Sequence, residues 1–198
     1  MGNIATTGSP GQQELEALVQ MALDEARRQG VDQAEVAASH DIGLSATARL
    51  GDVENLEYTN DRGIGITVYK NGCKGNASTS DISADSIREV VLKACTFASY
   101  TAADKHAGLA DAELMCREIR DLDLDYAWPI DSTAAIAMAI DCEKSALDYD
   151  PRINNSEGAN VSTNRGTRVY GNSHGFVGSY SKSSHSINCV VLGSTNGK

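Results

Sequence analysis

Residues 171–175 read GNSHG, the G-x-S-x-G spacing that can hold a nucleophilic serine on a sharp strand-to-helix turn. Ser173 would then attack an acyl carbon, given a histidine base and a carboxylate that follow it in the order serine, acid, histidine. No acid follows Ser173, and the next residues, FVGSYSKSSHS, carry no helical period. The string therefore reads as a hairpin turn, where Gly, Asn and Ser are favoured for backbone freedom and local hydrogen bonds.

Metal chemistry has equally little to stand on. A zinc-peptidase helix sets two His one turn apart with a Glu beside the first, and none of His40, His106, His174 and His185 is followed by Glu. His185 and Cys189 fall on one face of a strand, but two ligands do not complete a site. Asp121, Asp123 and Asp125 alternate with Leu122 and Leu124; as a calcium loop they would put Tyr126 where Gly is needed and Ser132 where a bidentate acid is needed. That run reads as a solvated acidic connector. No glycine-rich phosphate loop stands between a strand and a helix. The cysteines, Cys73, Cys95, Cys116, Cys142 and Cys189, are scattered without a C-x-x-C pair and read as reduced thiols of a cytoplasmic protein.

The elements that must position these residues follow from periodicity. Residues 1–11 are small and breaker-rich, and read as a flexible tail. Leu15, Leu18, Val19, Ala22, Leu23 and Ala26 recur at helical spacing, with Gly30 placed to end the helix. Alternating runs AEVAAS, GLSATARL, VENLEYT, GIGITVY and KGNASTS follow, broken by Gly51-Asp52, Asn60-Asp61 and Asn71-Gly72, which predicts an antiparallel meander. Ile87, Val90, Val91, Ala94 and Phe97 mark a second helix capped by Ser83; a short helical pattern spans Leu109 to Met115. A further helix runs through Ile136, Ile140 and Leu147, capped by Asp131 or Ser132. Beyond Pro151 the sequence is strand-like again. The order helix, meander, helix, helix, meander predicts an α+β fold with helices packed on antiparallel sheet. Residues 12–198 form its domain, divisible into units 12–100 and 131–198 joined by 101–130. One echo is visible: TNDRGIGITVYKNG from Thr59 and TNRGTRVYGNS from Thr163 share Thr-Asn, Arg-Gly and Val-Tyr.

Charge separates the two halves of the chain. Of a net −10 over 198 residues, residues 151–198 hold one acid, Glu157, against five bases, leaving +4 there and −14 elsewhere. That balance excludes a general nucleic-acid binder, and no apolar run reaches the length of a membrane span. The polar, glycine-rich last fifty residues suit recognition of an extended peptide.

The strings DQAEVAAS (32–39), Gly43-Leu44-Ser45, GDVENLE (51–57), DRGIGITVY (61–69), KGNASTSD (74–81), NSEG (155–158), GNSHGF (171–176) and HSINCVV (185–191) together resemble, in order, the amino-terminal half of the PmbA (TldE) branch of the TldD/PmbA family. The resemblance implies a bacterial cytosolic metalloprotease system that works on unfolded peptides, matures antibiotic peptides and degrades an antitoxin. In that family a TldD-like partner carries an H-E-x-x-x-H zinc motif in its carboxy-terminal half, and the PmbA-like subunit pairs with it without that motif. No residue here matches the zinc motif, and the family's carboxy-terminal half has no counterpart in these residues. The chain is therefore expected to hold no catalytic residue, metal or cofactor of its own and to be inactive alone. Zinc is expected in the TldD-like partner. Asn155, Ser156, Glu157 and Gly158, with Asn172, Ser173, His174 and Gly175, are the candidate contacts to peptide or partner. The alternative is an assembly module whose exposed strands pair only with another subunit, a second copy of itself included; the apolar strand INCVVLG supports it.

Overall fold

The computed structural model describes residues 11–195; most of the tail assigned to 1–11 lies outside them. Helix α1 (Gln12–Arg28) leads into three strands, β1 (Gln33–Arg49), β2 (Asp52–Lys70) and β3 (Cys73–Thr79). Then come α2 (Ala84–Tyr100), a connector, α3 (Ser132–Leu147), and the strands β4 (Ile153–Asn172) and β5 (Val177–Gly193). All five strands join one antiparallel sheet in the order β3-β2-β1-β4-β5. The fold is α+β with three helices on an antiparallel sheet, as the periodicity predicts.

The strands are longer than the runs suggest. AEVAAS and GLSATARL fuse into the 17 residues of β1, and VENLEYT and GIGITVY into the 19 of β2. The Asn60-Asp61 break is carried because it and both its flanks stay paired with β1. The turn signals at the strand ends do hold. Leu50 and Gly51 (φ 52° and 83°) and Asn71 and Gly72 (φ 51° and 74°) close two-residue hairpins whose positive φ values match the strand twist. Of the helical pattern at Leu109 to Met115, only a 3-10 turn at Ala112–Leu114 forms.

Register explains where the core sits. On β1 the even residues Ala34, Val36, Ala38, Leu44, Ala46 and Ala48 are buried, and they all point to one side of the sheet. At one end of that side α1 and α2 cover it, with Leu15, Val19, Ile87 and Val91 packed against Val36, Ile66, Val68 and Val169. Each fully buried aliphatic side chain contributes about 1.5–3 kcal/mol. Helix α2 lies so close to β3 that a Cβ on Gly75 would collide with the Ala94 carbonyl, which leaves only glycine there. At the other end α3 packs Ala135 and Ala139 on Leu44, Ala46, Ala48 and Val161. Both long helices after α1 are capped as expected: Ser83 accepts from Ser86 N and Asp131 from Ala134 N. Among the described residues the opposite side of the sheet carries no α-helix.

Candidate functional site

The helix-free side is built from the odd residues of β1 and their register partners. Ser78, Gly65, Ala37, Tyr170 and Gly178 stand directly opposite one another from β3 to β5, a single row across all five strands. Asn76, Thr67, Glu35 and Asn172 form the next row on one side. Gly63, Ser39, Arg168 and Tyr180 form the row on the other. Gly65 and Ala37 keep the middle row low at its centre, while at the β5 end the Phe176 ring lies over Gly178.

Glu35 is the centre of this face. Tyr69 donates to its Oε1 at 2.9 Å and Tyr170 donates to its Oε2 at 3.0 Å. Burial first, then the hydrogen bond to Glu35, pushes the Tyr69 phenol up to about 12; burial likewise raises Tyr170. These two tyrosines are the Val-Tyr residues of the sequence echo, brought to one carboxylate because β2 and β4 flank β1. Across the middle row, Arg168 Nη2 donates to Asp41 Oδ1 at 2.8 Å.

The connector arches over the β4–β5 half of this face and then turns round the edge of β5. Its start is tied by Leu109 N, which donates to Gln33 Oε1 at 2.8 Å, and by a 3.1 Å hydrogen bond between His174 Nε2 and the Ala110 carbonyl. Its end is tied by Ser183 N, which donates to the Leu124 carbonyl at 2.9 Å. There Arg165 donates twice to Asp125, and this contact first of all holds the Asp125 carboxyl below the usual aspartate range. The acidic run is thus an anchor at Asp125 rather than a wholly solvated connector. His185 sits between the Thr163 hydroxyl and the Tyr126 carbonyl, each at 2.8 Å, with Trp128 against its ring edge. Beneath the arch is a cavity of about 1090 Å³ between residues 113–122 and the sheet, with Tyr170, Phe176 and Tyr180 on the sheet side.

The two groups of sequence-predicted site residues lie at opposite ends of β4. Asn155, Ser156, Glu157 and Gly158 surround a β-bulge in which Glu157 is the unpaired extra residue and Gly158 has φ 103°. Ser156 is fully buried and its Oγ accepts from Gly158 N at 2.8 Å; Asn155 and Glu157 are exposed. Nearby, the buried Glu143 of α3 accepts from Gly51 N at 3.0 Å and has Oε1 without a hydrogen-bond partner. At the far end Asn172, Ser173, His174 and Gly175 make the β4–β5 turn. Asn172 is buried, and Ser173 continues the pairing with β1 by donating N–H to the Ala34 carbonyl at 2.8 Å. Phe176, next in sequence, lines the cavity. Sequence reasoning missed Glu35, Arg168, Tyr170 and Tyr180; the repeated Val-Tyr was the one signal for part of this group.

Among the described residues no group of three or more His, Cys, Asp or Glu side chains gathers as a metal site, so the donors present do not fit a zinc ion. All five cysteines are free, and no described helix is long and apolar enough to cross a membrane.

Residues 34–98 match the PmbA/TldA metallopeptidase domain 1, and residues 125–198 match the PmbA/TldA metallopeptidase central domain. The sequence is 45% identical over 182 residues to the metalloprotease PmbA homolog of Haemophilus influenzae, an alignment covering 92% of this chain and 40% of that protein. It is 40% identical over 183 residues to metalloprotease PmbA of Escherichia coli O157:H7, again covering 92% of this chain and 40% of the relative. The chain therefore spans well under half the length of these curated relatives. Among solved structures, a candidate modulator of DNA gyrase from Bacteroides thetaiotaomicron superposes with a TM-score of 0.82 at 23% identity, covering 92% of this chain and 42% of that one. TldE from Thermococcus kodakarensis superposes with a TM-score of 0.69 at 15% identity, covering 93% and 40%. At those identities the structural likeness is one of fold.

Proposed function

The chain belongs to the TldD/PmbA family, and from that premise we propose that it is the amino-terminal part of a PmbA-like subunit that holds unfolded peptide for a zinc-bearing, TldD-like partner in the bacterial cytoplasm. Peptide maturation and turnover, of antibiotic precursors or an antitoxin, are the activities such a heterodimer would serve. Cleavage belongs to the partner in this account.

The observation that carries the reading is the helix-free sheet face. A sheet side without helices is common in antiparallel folds, but here it is polar, low along one row, and roofed by a connector that leaves a large cavity. Ser173, His174 and Gly175 stand at the cavity end and are assigned to peptide contact, while the buried Asn172 accepts from His174 N and shapes their turn. Asn155 and Glu157, at the α3 end, are assigned to the partner.

One observation favours the assembly reading instead. Ile187, Val190 and Leu192 on the edge strand β5 are exposed, as are Leu56 and Tyr58 on β2. Edge strands with apolar side chains pair readily with other chains, a second copy included. The experiment that separates the two mixes this chain with a TldD-like subunit and follows zinc-dependent digestion of an unfolded peptide. Peptide holding predicts no cleavage by this chain alone and a changed rate, with altered substrate preference, in the mixture. Binding to the partner with no change in its activity would favour assembly; cleavage by this chain alone would overturn both.

A further inference from the structure

We propose that the row Ser78, Gly65, Ala37 and Tyr170, continued over β5 by the Phe176 ring, is the floor of a trough that takes an extended peptide across the strands, with one bulky apolar side chain seated beneath the connector. The proposal rests on the peptide-holding reading and adds the path of the peptide and the side chain it selects.

Three features on the face fix the path. A hollow of about 460 Å³ over Gly65, Thr67 and Ser78 shares Ala37 and Tyr170 with the 1090 Å³ cavity, so the two adjoin at the centre of the face and together reach from β3 to β5. Five strands at a spacing of about 4.8 Å make it about 19 Å long, room for about six extended residues. A compact small ligand would leave most of that length unfilled.

The walls fix how a peptide would be held. The backbone groups of Gly65, Ala37 and Tyr170, on the three inner strands, are already used between the strands. Recognition therefore falls to side chains: Asn76, Thr67 and Glu35 on one wall, Ser39 and Arg168 on the other. These supply donors and acceptors to peptide amides whatever the peptide's own side chains are, which suits a subunit that meets many unfolded sequences. Beneath the connector the lining changes to Phe176, Tyr180, Ile119 and Leu122, which favours one large apolar side chain there.

The test uses this chain and two fluorescein-labelled glycine–serine peptides long enough to span the trough, one with a central phenylalanine and one with alanine in its place. Binding is read by anisotropy. The phenylalanine peptide is expected to bind about tenfold more tightly. Gly65→Leu fills the floor, and it should fold because a Cβ there makes only ordinary contact, 3.6 Å from the Ser78 side chain. It should weaken both peptides. Tyr180→Ala, at an exposed edge position, should remove only the preference for phenylalanine. Circular dichroism confirms that each variant is folded. Peptide binding that ignores both substitutions overturns the trough and leaves the broader reading intact. Failure of the wild-type chain to bind either peptide overturns both.

Discussion

Single side chains set the character of the helix-free face. Glu35 accepts from two tyrosines that reach it from different neighbours of β1, so its removal should be felt at both. Alkaline titration followed by tyrosinate absorbance should show Tyr69 ionising near 12, above the exposed tyrosines, and Glu35→Ala should move that transition toward 10. Because the folded value is raised, the associated stability is present below about pH 10 and is lost as pH rises toward 12. Asp125 has the opposite sign. Its pKa is lowered by Arg165, so its contribution is complete above the ordinary aspartate value and disappears as pH falls through the depressed one. Asp125→Asn should cost about 2 kcal/mol in urea unfolding at neutral pH, and the difference from wild type should vanish in acid.

Turns and strand lengths show where sequence was a sufficient guide to the elements and where it was not. Helix α1, the Ser83 and Asp131 caps and the Asn71-Gly72 hairpin were legible because each rests on chemistry within a few residues. The unbroken length of β1 and β2 was not, since Asn60-Asp61 looks like a stop until its pairing with Ile42 and Asp41 of β1 keeps it extended. The site was less legible still. Glu35 meets Tyr69 and Tyr170 only through register across three strands, and the NSEG string carries the signature of a bulge that reads like any surface loop. Leu50 is another position that local pattern does not announce: it holds φ 52° in a turn where Asn or Gly belongs. Leu50→Asn should raise stability by about 1 kcal/mol, measured as the shift of the thermal midpoint, since its side chain is largely exposed and loses little packing.

For the whole molecule, one sheet divides two kinds of surface. Three helices bury one side, while the other offers a trough that is polar over β1–β3 and apolar beneath a connector anchored at Gln33, His174, Ser183 and Arg165. The charge contrast follows the same division of the chain: the nearly acid-free last part, with β4 and β5, supplies Arg168, Tyr170, Phe176 and Tyr180 of the trough, and the acidic remainder supplies the helices. The central claim is that unfolded peptide lies on the helix-free side. A photo-crosslinking amino acid placed at Tyr180, on that side, and separately at Met138, exposed on α3, tests it against a labelled unfolded peptide. The account predicts adducts from position 180 and none from 138; adducts from 138 alone, or equal yields from both, would contradict it.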